Sequence, residues 1–336
     1  MSVKIIAEIA QAHDGSLGIA HSYIDCLAEA GVDVVKFQTH IAEAESSCYE
    51  PFRVKFSYED DTRFDYWHRM EFTKEQWKGL KEHCEQKGVE FMSSPFSLAA
   101  VDMLEGLGVK AYKIGSGETC NLLMLEKILS THKPIILSSG MNSIDELDHS
   151  IQYIKKKNPF IDLSLLQCTT AYPTAPKDWG LKMIPFFKER YGLKTGFSDH
   201  SGDIYACLAA VALGAEIIEF HAVFDKQMFG PDAKSSLTIE QIKRLVKGVR
   251  QIEENFVADY KKDTERFASL KGMFEKSLCV NKDLMAGSVL SFDDLETKKP
   301  KGYGIDASLY ESVIGSTLTR DMKRWEFLTK ECIITQ

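Results

Sequence analysis

The sequence predicts an α/β protein: a (β/α)8 TIM barrel over residues 1–258, then a small β-rich domain. Three observations carry this. Short β-branched runs alternate strictly with longer helical patterns, eight times in succession. Several runs, such as Pro134-Ile135-Ile136-Leu137, are apolar without a break, as parallel strands buried on both faces require. The turn after the first run, Gln11-Ala12-His13-Asp14-Gly15-Ser16-Leu17-Gly18, lacks the G-x-G-x-x-G of a doubly wound dinucleotide fold. Strict alternation then favours the closed barrel, whose usual size is about 250 residues.

The eight strands are expected at Lys4–Ala10, Asp33–Thr39, Glu90–Pro95, Ala111–Ser116, Pro134–Gly140, Leu163–Thr170, Lys194–His200 and Glu216–Val223. The helical patterns between and after them run Ile19–Ala30, Lys74–Lys87, Ala99–Leu107, Leu122–Ser130, Ile144–Lys157, Leu181–Glu189, Ile204–Leu213 and Ile239–Phe256. One connection is out of proportion. His40 to Phe72 reads as a structureless insert, rich in aromatics and charge, either walling the barrel mouth or packing on itself or a second subunit. Residues 259–273 are charged and read as a linker. Residues 274–336 carry short strands broken by Gly and Asp turns, a module small enough to need docking on the barrel or on another subunit.

Composition bounds the function. The formal net charge of -8 argues against a nucleic-acid partner while leaving room for one basic cleft. No apolar run approaches the ~20 residues that span a bilayer, so no membrane association is expected. Glu8 comes too early for a secretory signal, and eight cysteines without C-x-x-C pairs suggest buried thiols in a reducing cytoplasm.

In such a barrel the chemistry sits at the C-terminal ends of the strands. Polar residues gather there: Glu8, Lys36-Phe37-Gln38, Lys113 to Glu118, Ser138-Ser139, Gln167 to Tyr172, Ser198 to His200 and Glu219 to His221. Lys36 and Lys113 lie inside apolar strands, where an ammonium is costly unless it meets an anion. With Ser116, Ser138, Ser139 and Ser198 they suggest a phosphate or carboxylate cradle, and Gly115 and Gly117 let backbone N–H groups approach. The alternatives are ion pairing with Glu8, Glu118 or Glu219 as barrel-floor structure, and a Schiff-base lysine. His200 and His221 end adjacent strands, where two imidazoles can hold one divalent metal and leave positions for water and substrate. Ligand type admits Mn²⁺, Zn²⁺ or Fe²⁺.

These stretches, together with Ile6-Ala7-Glu8-Ile9, Ser93-Ser94-Pro95-Phe96, Ala171-Tyr172-Pro173-Thr174, Gly196-Phe197-Ser198-Asp199-His200 and Gly230-Pro231-Asp232-Ala233, resemble the sialic acid synthase family. That family includes N-acetylneuraminate, legionaminic and pseudaminic acid synthases. The resemblance covers nearly the whole chain, and its tail from Lys276 is similar to an antifreeze-like (SAF) domain. It implies condensation of phosphoenolpyruvate with the open-chain aldehyde of an N-acetylated hexosamine such as N-acetylmannosamine, giving a nonulosonic acid and phosphate. A Schiff-base barrel aldolase is the more distant alternative.

The resemblance further implies that Glu8, Lys36 and Lys113 are catalytic, and that His200 and His221 bind Mn²⁺ or Mg²⁺. It implies that Lys36, Lys113, Ser116, Ser138, Ser198 and Tyr172 hold phosphoenolpyruvate, that Gln38 and Asp232 meet the sugar, and that Glu118 lies with the substrates. Two departures stand out. Thr170 replaces an Asn found in some members, and Lys299 takes the place of an Arg that reaches the partner's sugar site in a homodimer. Lysine cannot reproduce a bidentate guanidinium contact.

Overall fold

The computed structural model describes residues 2–54, 56–258, 261–262 and 264–335. Two compact units divide the chain, Met1–Val257 and Ala258–Gln336.

The first unit is the barrel. Its strands are β1 (Lys4–Glu8), β2 (Val34–Thr39), β3 (Glu90–Pro95), β4 (Tyr112–Ile114), β5 (Ile135–Ser138), β6 (Leu163–Cys168), β7 (Lys194–Asp199) and β8 (Ile217–Val223). All pair in parallel, in the order β3-β2-β1-β8-β7-β6-β5-β4. The two ends of that order, β3 and β4, lie side by side and close the ring. The helices are α1 (Leu17–Ala30), α2 (Ala42–Glu45), α3 (Arg63–Met70), α4 (Lys74–Gln86), α5 (Leu98–Leu107), α6 (Leu122–Leu129), α7 (Ile144–Lys157), α8 (Met183–Tyr191), α9 (Tyr205–Ala212) and α10 (Ile239–Val257). α4 and α7 begin with capping boxes at Thr73 and Ser143, which satisfy N–H groups that a helix start leaves orphaned.

Side-chain alternation along the strands sorts the interior into layers. Ile6, Val34, Met92, Ala111, Ile136, Leu166 and Ile217 form an apolar cluster inside the ring. β7 contributes Gly196 at this level. A Cβ there would come within 2.3 Å of the Ile217 carbonyl oxygen and 2.6 Å of Leu166 Cδ2, so only glycine fits. The outward-facing set, including Ile5, Ala7, Val35, Phe37 and Leu165, packs beneath the helices in the main core.

Strand and helix limits agree with the sequence reading to within about two residues, and several strands, β4 and β6 among them, end two residues early. β4 ends at Ile114, because Ser116–Glu118 turns into a short 3-10 helix; β6 ends at Cys168. The insert is not structureless. It carries α2 and α3, and the Thr62–Asp65 capping box starts α3. Tyr66, Trp67, Met70 and Ala42 are buried together with Phe52, Phe56 and Phe64 beside them, a satellite core of its own. Arg69 binds Asp60 at 2.8 Å and Asp14 at 2.5 Å, tying the insert to the loop after β1. Gly15 in that loop has φ +74°, and a side chain there would also meet the Arg69 carbonyl.

The second unit is built of short antiparallel pairs, Ser277–Val280 with Leu295–Lys298 and Thr317–Leu318 with Ile333–Ile334. Leu278, Val280, Leu290, Val313, Leu318 and Leu328 fill its small core. α11 (Ala268–Phe274) falls in the stretch read as a linker, whose first residues, Asp259 and Tyr260, lie outside the described residues. All eight cysteines are free thiols. No described helix is long and apolar enough to cross a membrane.

Candidate active site

Two residues further along seven of the eight strands, all but β6, the interior changes from apolar to polar. Ile6 gives way to Glu8, Val34 to Lys36, Met92 to Ser94, Ala111 to Lys113, Ile136 to Ser138, Gly196 to Ser198 and Ile217 to Glu219. The period of two puts all of these on the inward face. They form the floor of a cavity of about 440 Å³ at the strand C-terminal ends.

The floor is a closed ionic network. Lys36 Nζ lies 2.5 Å from Glu8 and 3.7 Å from Glu219, and donates to Ser94 Oγ at 3.3 Å. Lys113 Nζ lies 3.3 Å from Glu219 and donates to Ser138 Oγ at 2.7 Å. Ser198 Oγ donates to Glu219 Oε1 at 3.2 Å, while Glu219 Oε2 is buried without a hydrogen bond. Gln38 Nε2 donates to Glu8 at 2.8 Å. Burial pushes the Glu8 carboxyl up, but Lys36, His221 and Lys113 more than offset this and hold it well below the usual range. Burial likewise pulls Lys36 down, and Glu219 and Glu8 more than reverse it. Both groups are therefore charged. An unprotonated Schiff-base nucleophile at Lys36 is disfavoured accordingly.

His200 and His221 stand beside this floor with ring centroids 5.2 Å apart. His200 Nδ1 lies 3.0 Å from the Thr169 carbonyl, which accepts its hydrogen, so Nε2 is the ring nitrogen left to face a ligand. His221 Nε2 lies 3.4 Å from Glu8 Oε2. Among the described residues no three His, Cys, Asp or Glu side chains gather closely enough to hold a metal by themselves. The donor set fits a divalent ion held by two imidazoles and completed by water and substrate oxygens.

Above the floor, Ser116 accepts the Gly140 N–H at 2.9 Å, and Ser116, Gly117, Thr170 and Tyr172 line the wall. The Tyr172 ring lies 4.2 Å from that of His200. Glu118 is raised by burial, against a hydrogen bond from Asn121 and with Glu45 adding to the rise. The rim belongs largely to the insert: Glu45, Glu50, Arg53, Arg63, Tyr66 and Trp67 all line the cavity. Arg53 stacks on Tyr172 at 4.1 Å and pairs with Asp232 at 2.5 Å.

The structure thus brings together Glu8, Lys36, Gln38, Lys113, Ser116, Glu118, Ser138, Thr170, Tyr172, Ser198, His200, His221 and Asp232 around one cavity. Lys299 belongs to the second unit, where its ammonium lies 5.1 Å from the Phe274 ring. Ser139 turns away from the cradle: its hydroxyl donates to the Leu166 carbonyl. Sequence reasoning missed Arg53 and the insert acids, because no strand-end rule applies inside a long connection. It counted Glu219 only as a structural counter-ion, whereas Glu219 touches both lysines.

A closed parallel barrel with charged residues converging at its strand C-termini defines a barrel-enzyme site. The chain belongs to the NeuB family, whose model matches residues 23–261. It is 36% identical over 328 residues to the N,N'-diacetyllegionaminic acid synthase of Campylobacter jejuni, covering 96% of this chain and 98% of that one. It is 33% identical to the human N-acetylneuraminate-9-phosphate synthase, over 89% of this chain and 84% of that one. The crystal structure of an N-acetylneuraminic acid (sialic acid) synthetase from Leptospira borgpetersenii, in complex with citrate, superposes with a TM-score of 0.71. It is 31% identical and covers 80% of this chain and 90% of that one.

Proposed function

We propose that this protein is a nonulosonic acid synthase that condenses phosphoenolpyruvate with the open-chain aldehyde of an N-acetylated hexosamine and releases phosphate. The observation that carries the reading is the pair of buried lysines set among hydroxyls on the barrel floor, two residues beyond the apolar layer. Two fixed ammonium groups with Ser138, Ser198 and Ser116 nearby suit the carboxylate and phosphate of phosphoenolpyruvate. C3 of the enol attacks the aldehyde carbon, C2 gains positive charge, water adds there, and the C2–O bond to phosphate breaks. Glu8, held ionised and weakly basic by Lys36, would orient the attacking water by accepting a hydrogen bond, and Gln38, bound to Glu8, would orient the sugar.

His200 and His221 would hold a divalent metal, Mn²⁺ or Mg²⁺, which supplies Lewis-acid polarisation of the aldehyde oxygen. A homodimer in which Lys299 of one subunit completes the sugar site of the other, and a cytoplasmic setting, complete the proposal. The test is phosphate release measured with each substrate alone and with both. Release only when phosphoenolpyruvate and an N-acetylated hexosamine are both present is expected. Borohydride trapping of pyruvate on Lys36 or Lys113 would instead support an aldolase.

A further inference from the structure

We infer that His40 is a positioning residue: clamped between two aromatic rings, it fixes the side-chain amide of Gln38 in the orientation that faces Glu8 and the acceptor sugar. This rests on the synthase reading, in which Gln38 meets the sugar. His40 follows β2 directly, is 4% exposed and borders the cavity. Its ring is stacked on both faces. The centroid of Trp67, on α3 of the insert, lies 3.9 Å away with the planes at 16°; that of Phe96, just after β3, lies 4.7 Å away at 14°. A phenyl ring would serve that stack with no polar atom to satisfy. His40 instead uses both of its nitrogens. The Glu45 carboxylate accepts the Nδ1 hydrogen at 2.7 Å, and its other oxygen accepts the Ile41 N–H at 3.3 Å, at the start of α2.

Nε2 then sits between two amides, 3.1 Å from Gln38 Oε1 and 3.2 Å from Gln11 Nε2. Carrying a hydrogen, it donates to Gln38. Without one, it accepts from Gln11, whose Nε2 also donates to Gln38 Oε1. In both states the Gln38 carbonyl is held on the His40 side. Gln38 Nε2 is thereby turned to the floor, where it donates one hydrogen to Glu8 Oε1 at 2.8 Å and keeps a second for a sugar oxygen. Turning the amide over would set its carbonyl against the Glu8 carboxylate and its NH₂ group against that of Gln11. The contacts run from Glu45 on the insert, through His40 and Gln38, to Glu8 on the floor. His40 acts on the sugar through Gln38, by holding a donor in place before the substrate arrives.

The test is a double-mutant cycle in the full-length enzyme: parental, His40→Phe, Gln38→Ala and the double variant. Phosphoenolpyruvate and the acceptor are varied in turn with Mn²⁺ present, the acceptor being the better used of N-acetylmannosamine and a 2,4-diacetamido-2,4,6-trideoxyhexose. His40→Phe keeps an aromatic ring in the stack and removes the polar contacts. It is expected to raise the acceptor KM about tenfold, the scale of one hydrogen bond, and to leave the phosphoenolpyruvate KM within about twofold. In the Gln38→Ala background the same substitution should change the acceptor KM by less than about twofold. An undiminished factor in that background, or a parallel rise in both KM values, makes His40 merely structural and overturns the inference. Should His40→Phe fail to fold, Glu45→Gln, which loosens the Nδ1 anchor, takes its place in the cycle with the same pattern expected. Should the parental enzyme turn over neither acceptor, the synthase reading fails separately, and the cycle is read as calorimetric Kd for the same two sugars in the presence of phosphoenolpyruvate. Loss of the His40 effect in the Gln38→Ala background then supports the inference; independent effects, or no sugar heat from the parental protein, overturn it.

Discussion

Glu8 and Lys36 are register partners on adjacent strands, and their side chains meet at 2.5 Å inside the barrel. Ladder pairing alone therefore sets an acid against a base on the floor of the cavity. Removing one member strips the other of its nearest counter-charge and leaves it only Glu219, for Lys36, or His221 and Gln38, for Glu8, which costs up to roughly 3–5 kcal/mol. Glu8→Gln and Lys36→Met should each lower stability on that scale in urea denaturation. The double variant should lose less than the sum of the two, while all three lose turnover. Strict additivity would show that the pair is not coupled.

Glu219 touches both lysines and acts as the internal counter-anion of the cradle. Neutralising it leaves two ammonium groups with one carboxylate. Glu219→Gln is expected to bind phosphoenolpyruvate about tenfold more tightly by calorimetry, with slower turnover. Weaker binding would mean that Glu219 organises the lysines rather than competing for them.

A divalent ion held by the two imidazoles, as proposed, would make activity depend on it. Chelation should stop phosphate release, and Mn²⁺ or Mg²⁺ should restore it. His200→Ala should lose activity without regaining it on metal addition, and should show no calorimetric Mn²⁺ binding. Near-parental turnover of that variant in chelator would remove the metal from the reading.

Lys299→Ala tests the second unit. If the proposed cross-subunit contact forms, Lys299→Ala affects the acceptor and not phosphoenolpyruvate. The expected result is a several-fold rise in acceptor KM. In mixed dimers with a barrel-inactive Lys36→Met subunit, the defect should follow the subunit that lacks the working barrel's partner lysine. An unchanged KM rejects the cross-subunit contact.

Arg69 gives a pH dependence with a definite sign. Burial pushes the Asp60 carboxyl up, but hydrogen bonds from Arg69 and Ser57 more than offset it, so its folded pKa is lowered. The unfolded chain then takes up protons first as pH falls, and the contribution is lost below the ordinary carboxyl range, near ~4. Amide exchange across residues 57–70, corrected for intrinsic rates, should accelerate below that pH. Arg69→Met should show the fast exchange at neutral pH.

Periodicity made the barrel legible. Short apolar runs alternating with helical patterns read as strands buried on both faces, and charged residues breaking them at one end are costly unless they meet a partner. Lys36, Lys113, His200 and His221 were readable for that reason. The rim was not. Arg53, Glu45 and Glu50 lie in a connection without period, and their convergence depends on aromatic packing among Phe56, Tyr66 and Trp67 that no local pattern encodes. β4 was overextended because Gly115 and Ser116 continue an apolar strand by composition while the backbone turns at Ser116.

The insert's separate core divides labour within the fold. Residues that break and make bonds are carried by strands whose every neighbour constrains them. Residues that form the cavity rim ride on an excursion with its own packing, tied down through Arg69. Mutational drift in that excursion can reshape the cavity mouth while the strand-borne floor stays as it is, so the doorway and the hearth of one fold can age at different rates.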